Sequence, residues 1–346
     1  MRAVRIQEHG GYEVLRLEDA PVPEPGPGQV RIRVAWSALN HLDKWVRAGV
    51  PGHKFPLPLT PGCDFSGVVD ACGPGVDVQA GTRVTVAPGF SCGTCRMCAG
   101  GRQQLCRHFG IYGETGDGGD ADYAVVKLEN LIPVPDGFPL DCAAAFPLTY
   151  LTAWHMLVER CGVRPGDLVL VHAAGSGVSV AAVQIAKLWG ARVMITAGSD
   201  EKVQKGLDNG AESGVNYRRE DWTAAAKAWT GKKGLDIIVD HVGADTLPKG
   251  VWALARGGRI VTCGVTSGGE MTLHIAPVFF KSLSVLGSTM GSLGEQKEVA
   301  EHVFSGRLRP VIDSRFPLER VADAHRKLDA REAFGKVLLQ VDPGLD

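Results

Sequence analysis

Four cysteines lie close together near position 100, where their spacing is typical of a metal site. They are Cys92, Cys95, Cys98 and Cys106, in the pattern C-x2-C-x2-C-x7-C. Two-residue gaps in glycine-containing turns let thiolates converge, and four thiolates complete the tetrahedral shell of Zn²⁺ with no position left for water. The pattern therefore predicts one structural zinc per chain, in a lobe over residues 91–107. An iron–sulfur cluster and a redox switch are the alternatives.

A second stretch suited to chemistry is the glycine turn in VLVHAAGSGVSVAAVQIAKLWG, where a predicted strand passes into a predicted helix. Backbone N–H groups in such a turn, together with the helix N-terminus, bind the pyrophosphate of a dinucleotide. We therefore expect Gly175, Ser176, Gly177 and Val178 to contact a dinucleotide cofactor. Ser179 stands where the last glycine of the fingerprint is expected, which predicts slightly looser packing of the helix on the strand.

The elements that must position these sites follow two patterns. Residues 1–142 contain short Val- and Ile-rich segments interrupted by Pro and Gly, which predicts an irregular β-rich domain. From 143 to 309 strands alternate with helices, which predicts βαβ units on a parallel sheet. Residues 310–346 are typical of short strands around one helix, and we expect the terminal GKVLLQV to rejoin the first domain.

Composition limits the function classes. The chain has 346 residues, enough for two hydrophobic cores, and a formal net charge of -1 without long runs of like charge. Neither nucleic acid nor a membrane is therefore an expected partner, and no apolar run is long enough to span a bilayer. The polar opening MRAVRIQEHG lacks a signal-peptide pattern. We expect a cytoplasmic protein with a small-molecule substrate, in which cysteines bind metal rather than form disulfides.

The motifs together resemble a known family. The cysteine lobe, HAAGSGVSVAAVQIAKLWGARV, DIIVDHVG, LARGGRIVTCG and FGKVLL, in this order, are similar to the medium-chain dehydrogenase/reductase superfamily, the group of zinc alcohol dehydrogenases and quinone oxidoreductases. The resemblance implies an α/β fold. A Rossmann doubly wound parallel sheet over 143–309 would be inserted into a GroES-like catalytic domain formed by 1–142 and 310–346. It also implies a cleft where nicotinamide meets substrate, and it equates the cysteine lobe with the family's structural zinc loop.

The resemblance also indicates where zinc-dependent relatives bind a catalytic zinc. The three ligand positions of those relatives hold Asn40, Cys63 and Leu148 in this sequence. Leucine cannot bind a metal, and a catalytic zinc needs three protein ligands. The sequence therefore predicts no conventional catalytic zinc. A site assembled from His41, Cys63 and Asp64 is the alternative.

Without a metal, hydrogen-bond donors must stabilise the oxygen of the substrate, which favours reduction of a carbonyl, enone or quinone over oxidation of a simple alcohol. Asn40 matches the asparagine of the quinone oxidoreductase branch and is predicted to donate to that oxygen or to fix the turn. His41 or water would deliver the proton. Asp43 is either a supporting carboxylate or a helix N-terminal acid. Cys63 is either a ligand or a small buried residue.

The predicted catalytic set is thus Asn40, His41, Asp43, Cys63 and Asp64, in an NAD(P)H-dependent oxidoreductase. Two alternatives remain open at the level of sequence. One is an NAD(P)-dependent alcohol dehydrogenase with an unconventional zinc, and the other is an NADPH-binding protein without turnover.

Cofactor choice depends on the end of the second Rossmann strand, MITAGSDEK. NAD-specific relatives place an acid there to bind the ribose hydroxyls, whereas this chain has Ala197. Ser199, Lys202, Tyr217 and Arg218 resemble the set that binds the 2′-phosphate in NADPH-dependent relatives. NADP(H) is therefore favoured, with NAD(H) as the alternative, and Asp200 would oppose this choice if it turned inward.

The remaining predicted cofactor contacts lie mainly at strand ends, where ligands bind in open α/β sheets. They are Val242, Cys263, Gly264, Gly287 and Ser288, with Lys336 in the terminal FGKVLL segment. The segment KSLSVLGS resembles the sheet edge through which the family dimerises, so we expect a homodimer or homotetramer.

Overall fold

The computed structural model describes residues 1–345, which fold into two units. The first contains Met1–Leu148 and the segment from Gly291 onward, and the second contains Thr149–Met290. Within the described residues, no helix is both long enough and apolar enough to cross a membrane.

The N-terminal part of the first unit is built from short strands, as the Pro and Gly interruptions predict. The central strand shows period-two burial at Val30, Ile32 and Val34, which is the pattern of a half-buried strand. The strands are β1 Arg2–Arg5, β2 Arg16–Asp19, β3 Gln29–Ala38, β4 Asp64–Cys72, β5 Arg83–Val86, β6 Gly89–Phe90, β7 Gly110–Ile111, β8 Tyr123–Lys127 and β9 Leu131–Pro133. The helices are α1 His41–Ala48, α2 Arg96–Ala99 and α3 Leu140–Ala144.

The second unit is a six-stranded sheet in which every neighbouring pair is parallel. Its strands are β10 Leu168–Val171, β11 Arg192–Ala197, β12 Ser213–Asn216, β13 Leu235–Asp240, β14 Leu254–Thr262 and β15 Ser284–Gly287, in the order β12-β11-β10-β13-β14-β15. The helices are α4 Pro147–Trp154, which continues as a π-helical turn over His155–Arg160, α5 Gly177–Leu188, α6 Asp200–Asp208, α7 Trp222–Trp229, α8 Leu247–Ala253 and α9 Ile275–Phe280. This arrangement confirms the predicted Rossmann fold.

The chain then returns to the first unit through α10 Leu293–Phe304, β16 Ile312–Pro317, α11 Val321–Asp329 and β17 Lys336–Gln340. The last two strands complete a seven-stranded sheet in the order β16-β17-β3-β4-β5-β9, with β8 also paired to β3. The terminal strand is antiparallel to β3, with Leu338 opposite Ala38. The start of β17 therefore lies beside the end of β3.

The limits of the two units differ from those expected from sequence. A division at 142/143 and 309/310 was expected, whereas packing groups residues 143–148 and 291–309 with the first unit. Ala143 belongs to a core cluster with Trp36 of β3, and the ring of Phe304 in α10 packs edge-on against Phe138 and Phe146. These contacts join residues far apart in the chain, so local pattern gives no sign of them.

Candidate functional site

The four cysteines of the lobe converge as the spacing predicts. Their sulfur atoms all lie within 4.8 Å of one another, and the Sγ atoms of Cys95 and Cys98 are 3.5 Å apart. Those of Cys92 and Cys106 are also 3.5 Å apart, and a disulfide joins none of them. A tetrahedral zinc with Zn–S bonds of about 2.3 Å needs sulfurs separated by about 3.8 Å, so the donor set fits a structural zinc.

The surroundings of the lobe shift the pKa values of its thiols in both directions. Backbone N–H groups of Thr94 and Cys95 lower the pKa of Cys92 to about 6. The hydroxyl of Ser91 lowers the pKa of Cys98. Cys95 behaves oppositely: the N–H of Cys98 lowers its pKa, but burial and the hydrogen bonds to neighbouring thiols outweigh that effect and raise it. A cation that binds these closely spaced sulfurs would displace the protons that they share.

A second cluster forms at one end of the seven-stranded sheet, and a lysine lies at its centre. The register places Asp64, the first residue of β4, opposite Ala38 of β3. The ammonium of Lys336, the first residue of β17, lies 3.0 Å from Asp64 Oδ2 and 2.7 Å from Asn40 Oδ1. Lys336 is 3% exposed and Asp64 is fully buried, so the charges are paired away from water.

The amide of Asn40 is held in one orientation by this cluster. Because Oδ1 accepts from Lys336, Nδ2 faces Asp64 Oδ2 at 2.9 Å, the Ala38 carbonyl at 3.2 Å and Cys63 Sγ at 3.2 Å. Both amide protons thus have acceptors inside the protein. The predicted donation from Asn40 to a substrate oxygen stays a prediction, and this geometry supports the other role, that of fixing the turn before α1.

Asp64 uses both of its carboxylate oxygens. Oδ2 accepts from Lys336 and Asn40, and Oδ1 accepts from the backbone N–H of Leu148 at 2.8 Å. Leu148, which is expected from the sequence to stand at a ligand position of zinc-dependent relatives, therefore contributes its backbone N–H to the cluster.

Asp43 and Asp120 hold the segment before Cys63. The carboxylate of Asp43 accepts from the N–H of Asn40 at 2.6 Å and from the N–H of Gly62 at 3.2 Å. Gly62 has a φ of 94° and packs so closely on Asp120 that a Cβ would lie 2.3 Å from Asp120 Oδ1. Burial raises the pKa of Asp43 to about 6 and that of Asp120 to about 7. Burial therefore favours the protonated forms of these two carboxyls more than it would if they were exposed.

The alternative metal set of His41, Cys63 and Asp64 is not grouped in the described residues at the distances that a shared ion requires. Burial and the nearby Asp64 raise the pKa of Cys63 well above that of an ordinary thiol, which favours the thiol over the thiolate that binds metal. The half-buried ring of His41 packs edge-on against Trp45, with ring centroids 5.2 Å apart. In the described part of the chain, the four lobe cysteines are the only group of three or more His, Cys, Asp or Glu side chains close enough to share a metal.

The glycine turn of the second unit leads into α5 as predicted. Ser176 is the residue before the helix, and Gly177 and Val178 form its first turn. The expectation of slightly looser helix packing at Ser179 stays a prediction. Ser179 is fully buried, and its hydroxyl lies 2.6 Å from the His172 carbonyl oxygen, so a hydrogen bond replaces the close contact that glycine would allow.

Near the end of β11, the residues predicted to select the cofactor have different roles in the structure. Ser199 accepts from the N–H of Lys202 and begins α6, which is a capping role. The Tyr217 hydroxyl and Arg218 lie against Gly198, where an added Cβ would come within 2.7 Å and 3.5 Å of them.

Asp200 interacts with residues other than Tyr217 and Arg218. Its Oδ1 accepts from the Asn216 amide at 2.7 Å, and its Oδ2 is paired with Arg219. The opposition to a 2′-phosphate considered for Asp200 is therefore weakened.

The remaining predicted cofactor residues lie at the ends of β13, β14 and β15, except for Lys336. Val242 donates its N–H to Asp240 Oδ1 at 2.7 Å, Cys263 and Gly264 follow β14, and Gly287 and Ser288 end and follow β15. Lys336 is instead the buried cation of the first unit, so its predicted contact with the cofactor stays a prediction.

Comparisons with known proteins match parts of both units. The family pattern described as "Alcohol dehydrogenase GroES-like domain" matches residues 26–136, and the one described as "Zinc-binding dehydrogenase" matches residues 177–305. The quinone oxidoreductase of Homo sapiens is 33% identical over 98% of this chain and 97% of that protein. The chain belongs to the medium-chain dehydrogenase/reductase superfamily. It is an NAD(P)-dependent oxidoreductase.

Solved structures in this superfamily superpose over almost the whole chain. One described as an NAD-dependent alcohol dehydrogenase is 50% identical, covers 99% of this chain and 100% of its own, and gives a TM-score of 0.95. A cobalt- and zinc-bound thermostable alcohol dehydrogenase from Pyrobaculum aerophilum is 34% identical, covers 99% of each chain and gives a TM-score of 0.89.

Sequence reasoning about this superfamily member missed two features of the first unit. Asp120 was not singled out, and its surroundings come from Ser37 and Gly62, which are distant from it in the chain. The role of Lys336 as the partner of Asp64 had no local sign, because 272 residues separate them.

Replacing Cys95 with serine removes one of the four sulfurs of the lobe. We expect loss of bound zinc and a lower melting temperature, with hydride transfer per folded molecule unchanged, because a closed four-sulfur site does no chemistry. Elemental analysis, thermal unfolding and cofactor oxidation measure these quantities. Cys142→Ser, outside the lobe, is the control and should retain zinc. Loss of activity in a folded, zinc-free, cofactor-binding Cys95→Ser protein would contradict the structural role.

Replacing Lys336 with methionine leaves the buried Asp64 carboxylate without its cation. We expect a loss of about 3 kcal/mol in the free energy of unfolding, because breaking a buried pair strands a charge. Adding Asp64→Asn should recover part of that loss. Lys327→Met, which breaks a more exposed pair with Asp313, should cost less than about 1 kcal/mol. Equal losses in the two lysine variants, measured by urea unfolding, would show that the pair does not support the fold.

Proposed function

We propose that this oxidoreductase is an NADPH-dependent reductase of a carbonyl, enone or quinone, with one structural zinc in the cysteine lobe and no catalytic zinc. The observation that carries the proposal is the Lys336 ammonium, paired with Asn40 and Asp64 in the cluster that also contains Cys63. A fixed positive charge beside these groups opposes a second cation electrostatically.

The donor chemistry supports the same conclusion. Asn40 stands at the first ligand position with its amide turned to internal acceptors, and Cys63 at the second has a raised pKa. Leu148 at the third offers only a backbone N–H, which donates to Asp64. A catalytic zinc needs three anionic or neutral lone-pair donors with one position open.

The chemistry that fits such a site is hydride addition to an already polarised carbon. Bound nicotinamide supplies the hydride, and the acceptor is a carbon conjugated with, or part of, a carbonyl. His41 or water supplies the proton that completes the reduction. Oxidation of an unactivated alcohol lacks the Lewis acid that would lower the pKa of its hydroxyl.

A second candidate function is alcohol oxidation, which the comparison at 50% identity favours, because that solved structure is described as an NAD-dependent alcohol dehydrogenase. The reductase is preferred because of the Lys336 cluster. A protein that binds the cofactor without turnover is the third possibility.

Metal content and activity distinguish these functions. We expect one zinc per chain in protein purified without added metal. Reduction of quinones or enones should survive chelation under conditions where the lobe keeps its zinc. Simple alcohols should not be oxidised. Two zincs per chain with alcohol oxidation lost on chelation would establish the alcohol dehydrogenase instead. Tight NADPH binding without hydride transfer to any acceptor would favour the non-catalytic protein.

We also propose that NADP(H) is preferred over NAD(H), with Arg218 beside Tyr217 as the group that binds the 2′-phosphate. Arg218→Ala should raise the KM for NADPH about tenfold and leave the KM for NADH within about twofold, since an exposed charge-assisted hydrogen bond to phosphate is worth about 1.5 kcal/mol. Arg219→Ala is the matched control, because Arg219 is paired with Asp200. Equal effects of Arg218→Ala on both cofactors, or a wild-type preference for NADH, would refute this selectivity.

Self-association is a further part of the proposal. β15 is an edge strand, and Phe279 and Phe280 of the preceding helix are 61% and 67% exposed. A second copy pairing along β15 would cover this apolar edge, so we propose a homodimer, alone or within a homotetramer, in the cytoplasm.

Val285→Lys should dissociate the dimer, because an edge lysine blocks strand pairing. Val22→Lys is the control, since Val22 and Val285 are both 41% exposed. Light scattering on the eluting protein measures the mass, and a monomeric wild-type protein would refute the proposal.

A further inference from the structure

A buried serine hydroxyl lies where three elements of the second unit meet. Ser179, the third residue of α5, has its Oγ 2.6 Å from the carbonyl oxygen of His172 and 2.8 Å from Nε2 of His241. His172 directly follows β10, and His241 directly follows β13. The hydroxyl therefore joins the first turn of the helix to the ends of two neighbouring strands.

The single hydroxyl proton determines the direction of both hydrogen bonds. A carbonyl oxygen can only accept, so Ser179 donates its proton to His172. The same hydroxyl then has only lone pairs to offer to His241, and Nε2 of His241 must carry the proton and donate. The contact thus requires the Nε2–H form of His241 and a hydroxyl at position 179.

The turn is also held on its other side, by β11. Thr196 Oγ1 lies 3.0 Å from His172 Nδ1 and accepts from the N–H of Ala173 at 3.3 Å. Ala173 adopts a φ of 53°, a left-handed conformation that costs a residue with a Cβ about 1 kcal/mol. A turn that persists in this conformation must be held by its surroundings, and Thr196 and the Ser179 contact do so from opposite sides.

We infer that Ser179 and His241 act as a coupled pair that replaces the last glycine of the dinucleotide fingerprint, and that His241 is a positioning residue for the cofactor pyrophosphate. The inference rests on the proposed binding of a nicotinamide cofactor at this turn. Glycine at that place allows close packing of helix on strand. Here the two hydrogen bonds of the Ser179 hydroxyl hold the helix against the strand ends.

The physical consequence concerns the backbone N–H groups that begin α5. Gly177, Val178 and Ser179 present N–H groups that have no partner within the helix, and these are the groups that bind a phosphate. Their direction follows from how the first turn lies on the ends of β10 and β13. Losing the Ser179–His241 contact therefore weakens cofactor binding without removing any group that touches the cofactor in the proposed site.

A double-mutant cycle tests the pair in the full-length protein. Ser179→Ala and His241→Leu should each raise the Kd for NADPH about tenfold, since losing one backbone hydrogen bond to a charged phosphate changes affinity by about that much. The double variant should also lie about tenfold above wild type rather than about a hundredfold, because one contact is lost in all three. Fluorescence titration measures Kd, and thermal unfolding measured on the same variants separates weakened binding from lost stability.

The conservative variant His241→Gln keeps an N–H donor near the same place and should bind NADPH within about threefold of wild type. Additive losses in the cycle would overturn the inference, as would unchanged Kd values accompanied by a lower melting temperature. If a single variant does not fold, Ser179→Gly combined with His241→Leu restores the fingerprint glycine and removes the stranded donor. Binding close to that of wild type supports the coupled pair, and lost binding in that folded protein overturns it. A wild-type protein that binds neither NADPH nor NADH would instead refute the proposed function.

Discussion

The buried contact between Lys336 and Asp64 is the constraint on which the candidate site depends. A carboxylate without solvent needs a compensating charge and hydrogen bonds to both of its oxygens. Asp64 obtains these from Lys336, Asn40 and the Leu148 backbone. The turn before α1, the start of β4 and the start of β17 are thereby held at one end of the sheet.

This pairing also explains how residues that differ from those of zinc-dependent relatives form a self-consistent set. The ammonium of Lys336 orients the amide of Asn40, and that amide in turn faces Cys63. Asp43 and Asp120 support the neighbouring Gly62 from two sides. Changing one member leaves a buried polar group without its partner, so the members of the cluster depend on one another energetically.

The second unit also contains a buried polar group that needs partners, and there the partners are neutral. A glycine at the start of α5 would permit close packing without a polar contact, whereas Ser179 brings a hydroxyl that must be satisfied in a buried place. The His172 carbonyl and His241 satisfy it. In both units, a side chain that departs from the pattern expected of the superfamily is accompanied by a partner from a distant part of the chain.

The sequence by itself determined what depends on short spacings: the converging cysteines, the glycine turn before α5, and the alternation of strands and helices that forms the parallel sheet. Each of these follows from local geometry and from burial periodicity. The tertiary structure alone decided that Lys336 pairs with Asp64, that Ser179 contacts His241, and that α10 belongs to the first unit. Such contacts join residues from about sixty to nearly three hundred positions apart, and local pattern carries no information about which distant partner a buried polar group will find.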